Sequence, residues 1–118
     1  MLDFYVELIE EQKCPIVRVR GEIDIYTCPK LQKILNEAMQ NAKRDDSNII
    51  ILNLEEVQYI DSTGLGTVAH TAKTLSTTGG KINIVCTRPH VKKVFDASGL
   101  SKKNISIFEE ESLALSAV

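Results

Sequence analysis

Between residues 49 and 66 the chain reads Ile49-Ile50-Ile51-Leu52-Asn53-Leu54, then Glu55-Glu56-Val57-Gln58, then Tyr59-Ile60-Asp61-Ser62-Thr63-Gly64-Leu65-Gly66. The first segment is apolar except for Asn53, a pattern typical of a strand buried on both faces of a parallel sheet. The third contains Asp, Ser and Thr, which are the residue types that cap helix starts. The sequence therefore predicts a buried strand that ends near Leu54, followed by a loop and an amphipathic helix.

Strands and helices alternate on both sides of this stretch. Upstream, residues 4–9 and 16–20 are predicted to form an antiparallel pair of strands, because only a short connection separates them. Gly21 is predicted to end the second strand. A helix at 31–42 follows, with Thr27 as its cap and Pro29 in its first turn. Downstream, the spacing predicts helices at 65–75 and 89–95, strands at 82–85 and 105–107, and a terminal helix opened by Glu109, Glu110 and Glu111.

The order of these elements is β-β-α-β-α-β-α-β-α. Alternation in the second half predicts parallel strands joined by right-handed helical crossovers. We therefore expect an α/β fold with one small mixed sheet, antiparallel in its N-terminal pair and parallel in the remainder, with helices packed on it. A chain of 118 residues suits a single domain over 1–118.

Composition excludes several classes of protein. The formal net charge is -2, so there is no basic field to collect nucleic acid. The longest apolar run, Ile49-Ile50-Ile51-Leu52, is far shorter than the about 20 residues of a transmembrane helix, and no secretion signal is visible. Cys14, Cys28 and Cys86 form no paired metal or redox motif. We expect reduced thiols in a cytoplasmic protein without direct membrane contact.

The segment around Ser62 presents a hydroxyl at the positive end of a helix, where added negative charge is tolerated. This chemistry suits a serine that receives a phosphate, although a plain helix cap is the alternative. Thr63 is a weaker acceptor candidate. Asp61 either orients Ser62 or caps the backbone, and both roles stay open. Gly64 and Gly66 are expected to let the backbone turn tightly and approach a partner.

Three enzymatic or ligand-binding interpretations of these residues are not favoured. The run Gly64-Leu65-Gly66-Thr67-Val68-Ala69 fits the dinucleotide fingerprint G-x-G-x-x-A, but the glycines come too late if the strand ends near Leu54. His70 and His90 lack a ligand-spaced partner, so no metal site is expected. Ser62 lacks the G-x-S-x-G elbow of a hydrolase.

Four further features occur in order along the chain: Gly21-Glu22-Ile23-Asp24 before a helix, Asn53-Leu54 closing a strand, Asp61-Ser62-Thr63-Gly64-Leu65-Gly66, and Val91-Lys92-Lys93-Val94-Phe95-Asp96-Ala97-Ser98-Gly99-Leu100. Together they resemble the STAS domain, and most closely its stand-alone bacterial form, the anti-sigma factor antagonist. The resemblance covers essentially all of the chain.

The resemblance implies a regulatory role rather than an enzymatic one. Such a protein binds an anti-sigma factor that is also a serine kinase, and binding frees the sigma factor. The kinase uses ATP to phosphorylate the serine after the motif aspartate, here Ser62; the product no longer binds until a serine phosphatase restores it. No cofactor of its own is implied. The partner-binding residues implied are Asp24, Asp61, Ser62, Thr63, Gly64, Leu65 and Gly66, with Asp24 close to Ser62.

Two other functions stay open. The same kind of domain serves some families as a soluble regulatory subunit of a membrane transport or lipid-transport complex. A small-molecule-binding domain could use the helix start as an anion site.

Overall fold

The computed structural model describes residues 3–10, 13–99 and 104–118 and confirms the order of elements. They are β1 (Tyr5–Ile9), β2 (Ile16–Ile23), α1 (Cys28–Arg44), β3 (Ile49–Ile60), α2 (Ser62–Ser76), β4 (Lys81–Val85), α3 (Pro89–Ser98), β5 (Ile105–Phe108) and α4 (Glu111–Ser116). The five strands form one sheet in the order β1-β2-β3-β4-β5. As expected, β1 and β2 are antiparallel and all other neighbours are parallel.

The central strand β3 is covered on both faces over its first half. Residues 49–54 are buried apart from the half-buried Asn53, which confirms the strand type that the apolar run predicts. One face packs with α1, α2 and α3 into the larger core, where Leu35, Val68 and Phe95 meet Ile50 and Leu52. The other face carries a smaller cluster under α4, whose buried members are Cys14, Ile16, Ile51, Val85 and Ala114.

Strand β2 is longer than predicted. Gly21 does not end it, because the strand bends there with φ +105° and continues to Ile23. A β-carbon on Gly21 would lie 3.0 Å from the carbonyl oxygen of Asp3, so this position combines a left-handed conformation with a close backbone approach.

Strand β3 is also longer than predicted, since it passes Leu54 and reaches Ile60. Ile23 and Ile60 pair at the end of the two strands and are both buried. Their burial explains why the pairing continues this far.

The starts of α1 and α4 differ in detail from those predicted from the sequence. Thr27 does occupy the position before α1, but its side chain does not cap the helix. Its hydroxyl accepts from the Asp24 amide and donates to the Glu22 carbonyl, both at 2.9 Å. At α4 only Glu111 lies within the helix, since Glu109 and Glu110 precede it.

The end of α3 agrees with the prediction from the sequence. Gly99 ends α3 in the left-handed conformation, as its position after the apolar stripe predicts. Leu100, the last residue of the segment from Val91 to Leu100 that resembles the STAS domain, lies outside the described residues. No helix in the described part of the chain is long and apolar enough to cross a bilayer.

Candidate functional site

The carboxyl ends of β2 and β3 bring two loops together. Ile23 pairs with Ile60, and the Asp61 amide donates to the Ile23 carbonyl at 3.1 Å. The turn that begins at Asp24 therefore lies beside the start of α2. The parallel register of β2 and β3 fixes this placement, which spacing along the chain could not reveal.

Asp61 is the N-cap of α2. Its backbone is extended, and its Oδ1 accepts from the Gly64 amide at 3.0 Å. Its carbonyl accepts from the Leu65 amide at 2.9 Å. Of the two roles left open for Asp61, the structure shows backbone capping. The alternative interpretation of Ser62 as a plain helix cap is wrong, because Ser62 is the first residue of the helix.

Ser62 and Thr63 lie exposed on the first turn of α2. Within the described residues, no hydrogen bond engages the Ser62 hydroxyl, whereas several neighbouring hydroxyls are bonded to backbone carbonyls. The first-turn amides of a helix carry partial positive charge and lack intrahelical acceptors. The site thus presents a free hydroxyl in an environment that favours an anion.

The glycines have a different role from the one predicted. Gly64 and Gly66 both lie inside α2, and neither has a positive φ, so the prediction that they let the backbone turn is wrong. A β-carbon on Gly64 would come within 2.5 Å of Ile23 Cγ2 and 2.8 Å of Ile60 Cγ1, whereas one on Gly66 would meet nothing within 4 Å. Gly64 is therefore needed for packing α2 on the strand ends.

The dinucleotide fingerprint is excluded for a different reason from the one given by the sequence. Because β3 reaches Ile60, the glycines do not come too late after the strand. They are helical, however, whereas the fingerprint needs its first glycine in the turn between strand and helix. The Asp61 side chain also occupies the Gly64 amide.

The turn after β2 displays apolar side chains. Asp24 Oδ1 accepts from the amides of Tyr26 (2.9 Å) and Thr27 (3.1 Å), and this bonding holds the turn. Ile25 is 63% exposed and Tyr26 is 88% exposed, and Tyr59, three residues before Ser62, is 48% exposed. We call Ile25, Tyr26 and Tyr59 the apolar rim. Sequence reasoning missed it, although two adjacent apolar residues inside a polar turn are a usable signal.

Cys28 lies beneath the two loops and is buried. Burial raises the pKa of its thiol, and the carboxylates of Asp61 and Asp24 raise it further, while Thr67 opposes the shift by hydrogen bonding. Both aspartates therefore act on the same sulfur from the two loops. A thiol held protonated is a packing group rather than a nucleophile.

The described residues contain no group of three metal-ligating side chains that could hold an ion. His70 and His90 are both exposed. Of the residues implied as partner-binding, Asp24, Asp61, Ser62 and Thr63 lie together at the two loops. Leu65 is half-buried and Gly66 is exposed, whereas Gly64 is buried, so any effect of Gly64 on binding is indirect.

The sequence matches the STAS domain family over residues 5–114. It is 34% identical over 99 residues to the anti-sigma-B factor antagonist of Staphylococcus aureus (strain NCTC 8325 / PS 47). The aligned region covers 84% of this chain and 88% of the relative. In fold it is similar to an anti-sigma factor antagonist from Mycobacterium paratuberculosis, with a TM-score of 0.83, 24% identity, and coverage of 98% of this chain and 94% of the other. It is also similar to the Bacillus cell fate determinant SpoIIAA in the phosphorylated form, with a TM-score of 0.69, 23% identity, and coverage of 98% and 100%. The match over 5–114 and the shared α/β architecture show that this chain belongs to the STAS domain family.

Proposed function

We propose that this chain is a phosphorylation-switched anti-sigma factor antagonist of the bacterial cytoplasm. In its unphosphorylated form it binds an anti-sigma factor serine kinase and releases the sigma factor. ATP-dependent phosphorylation of Ser62 ends that binding, and a serine phosphatase restores it. The observation that carries the proposal is the exposed Ser62 hydroxyl at the first position of α2, which makes no hydrogen bond to the residues that the structure describes.

The names of similar proteins support the same role. The staphylococcal relative is an anti-sigma-B factor antagonist, and SpoIIAA has been solved in a phosphorylated form. In this role the chain is a substrate and a switch. The kinase supplies the catalytic base and the metal ions for phosphoryl transfer, so Asp61 is left to its capping bond.

Phosphate on Ser62 is compatible with the fold. It adds about -1.5 to -2 charge and three strong acceptor oxygens. The hydroxyl bonds to no acceptor in the described part of the chain, and the helix start favours the added charge. Core residues of α2 such as Val68 and Ala72 lie at least six positions further along the helix. We therefore expect a local change at the surface and no rearrangement of the sheet.

The apolar rim explains how a local change can end binding. Aromatic side chains in the centre of an interface are frequent hot spots, especially where water is excluded around them. A dianion on Ser62, in an interface that also contains the apolar rim, would have to lose its hydration against apolar surface. A loss of about 2–3 kcal/mol weakens binding roughly 30- to 150-fold, which suffices for a switch.

The test mixes the purified protein with a candidate anti-sigma kinase and ATP and locates the modified residue by mass spectrometry. Ser62→Ala is expected to abolish phosphate incorporation while it keeps the fold and the affinity for the kinase. Thr63→Ala is the matched control, since it removes the neighbouring exposed hydroxyl, and it should be phosphorylated like the wild type. Phosphorylation of Ser62→Ala at the wild-type rate would show that the assignment is wrong.

A further inference from the structure

In the part of the chain that the structure describes, the second half of β3 lacks a strand on one side. β4 pairs with β3 only from Ile49↔Lys81 to Asn53↔Val85, where β4 ends. Beyond that point β3 continues to Ile60 and, among the described residues, pairs with β2 alone. The carbonyl groups on the open side need other donors, because an unpaired backbone group at a protein surface is bonded to water or to side chains. This open side belongs to the segment that leads directly into Asp61 and Ser62.

Two side chains from the start of α3 bond to the open side. Arg88 Nε donates to the Glu55 carbonyl at 3.2 Å. His90 Nε2 bonds to the Gln58 carbonyl, and because a carbonyl only accepts, this ring nitrogen carries the proton. The two carbonyls are three residues apart along β3. Arg88 and His90 thus supply donors to two carbonyls of a segment along which β4 does not run.

We propose that Arg88 and His90 are positioning residues for the partner-binding site. They fix the path of β3 over residues 55–58, and this segment sets where Tyr59, Asp61 and Ser62 emerge. The last link between β3 and β2 is the 3.1 Å bond from the Asp61 amide to Ile23. A strand end held on both sides keeps this link closed more of the time than a strand end held on one side. The functional part of this inference rests on the proposed role of Ser62.

The test measures amide hydrogen exchange by NMR in the double variant Arg88→Ala/His90→Ala. Each lost bond is expected to raise local opening about fivefold, the effect of a typical hydrogen bond. The Asp61 amide should therefore exchange about 5- to 25-fold faster than in the wild type. The Ile51 amide is the internal reference, because it donates to the Pro15 carbonyl at the opposite end of β3. Its exchange rate should stay unchanged.

Matched variants separate positioning from general destabilisation. His90→Gln keeps an N–H donor near the Nε2 position and should restore slow exchange when Arg88 is intact, whereas His90→Ala should not. Lys93→Ala removes an exposed cation from the same helix and should leave Asp61 exchange unchanged. Faster exchange at Asp61 and Ile51 alike, or no change at Asp61, would overturn the positioning role.

A second readout connects positioning to function. The affinity of each unphosphorylated variant for the candidate kinase should fall several-fold with Arg88→Ala/His90→Ala and recover with His90→Gln. Normal affinity despite faster Asp61 exchange would overturn the functional part. The exchange measurement needs neither kinase nor phosphate, so a failure of the proposed function, seen as absent Ser62 phosphorylation in the wild type, is distinguished from a failure of this inference.

Discussion

The absence of a β-carbon at Gly64 determines how closely α2 packs on the sheet. Asp61 caps the helix through the Gly64 amide, and the α-carbon of the same residue lies against Ile23 and Ile60. The cap and the packing therefore act on one residue, two positions after Ser62. This arrangement fixes the height of the first helical turn above the two strand ends.

Gly64 and Gly66 offer a matched pair of substitutions. Alanine is the better helix former by about 1 kcal/mol at both positions. At Gly66 the new methyl group enters open space, so Gly66→Ala should stabilise the protein by up to about 1 kcal/mol. At Gly64 the methyl group overlaps Ile23 and Ile60, and overpacking of about 1–3 kcal/mol should outweigh the helix preference.

Urea unfolding of the two variants measures this difference directly. The Gly64→Ala midpoint should lie below that of the wild type, and the Gly66→Ala midpoint should lie at or above it. Equal midpoints for the two variants would show that the contacts of Gly64 do not constrain the helix.

Among the elements, α4 covers the second face of the sheet with only six residues. Its apolar contribution is small, with Ala114 buried and Leu115 partly buried. Polar bonds add to it. Glu111 accepts from Arg18 Nε at 2.9 Å and Nη2 at 2.7 Å, and from Asn53 Nδ2 at 2.7 Å. The buried Asn83 side chain donates to the Ala114 carbonyl at 3.1 Å.

This anchoring of α4 predicts a pH dependence. Hydrogen bonding from Arg18 lowers the pKa of Glu111 below its ordinary value of 4.5. A carboxyl whose pKa is lower in the folded state stabilises the protein above the unfolded-state pKa, and the contribution is lost as the pH falls through the folded-state pKa. Because Arg18 is half exposed, solvent screening limits this pair to about 1 kcal/mol at neutral pH.

Glu111→Gln should therefore lose about 1 kcal/mol of unfolding free energy at pH 7 and show a smaller decline below pH 4.5 than the wild type. Chemical unfolding at a series of pH values measures both effects. Glu109→Gln is the control, because this exposed carboxyl lies outside α4. An identical acid profile for Glu111→Gln and the wild type would contradict the role of the Arg18–Glu111 pair.

On the scale of the whole molecule, the proposed partner site lies at one end of the sheet and the α4 anchor lies on one face of it. The rim residue Tyr26 should consequently affect binding without affecting the fold. Tyr26→Ala is expected to weaken binding to a cognate kinase by about 2 kcal/mol, roughly 30-fold, with unchanged thermal unfolding. Calorimetric titration gives the affinity.

Leu113→Ala serves as the comparison for Tyr26→Ala. Leu113 is 50% exposed on α4, the helix that packs on one face of the sheet through Ala114. Its truncation should leave the affinity within twofold of the wild type. If Tyr26→Ala binds as tightly as Leu113→Ala, the apolar rim has no part in docking.

The sequence predicts the element order well because each helix and each buried strand carries its own apolar period. It fails where structure depends on distant parts of the chain. Gly21 was predicted to end a strand, yet β2 continues because Ile23 finds Ile60 on the neighbouring strand. Likewise, residues 55–59 of β3 show no simple alternation, and the bonds from Arg88 and His90 to this segment connect positions more than 30 residues apart.

The candidate site, like the fold, follows from the sequence only in part. The position of Ser62 at a helix start follows from local residue types, and the structure places it there. The packing role of Gly64 does not follow, since it depends on two isoleucines brought together by the sheet register. Tyr26 and Tyr59 are 33 positions apart, and the pairing of Ile23 with Ile60 places both of them near the carboxyl ends of β2 and β3, which local patterns do not reveal.

The exposed positions of Tyr26 and Tyr59 have an optical consequence. The chain contains no tryptophan and three tyrosines, and the third, Tyr5, lies against the Arg20 guanidinium. Ultraviolet emission from the isolated molecule is therefore dominated by tyrosine, and two of the three tyrosines belong to the proposed docking surface. Because this chain has no indole group, light of longer wavelength would excite only the tryptophan of an added partner that carries it, so the two emissions can report assembly and its reversal in real time without any attached dye.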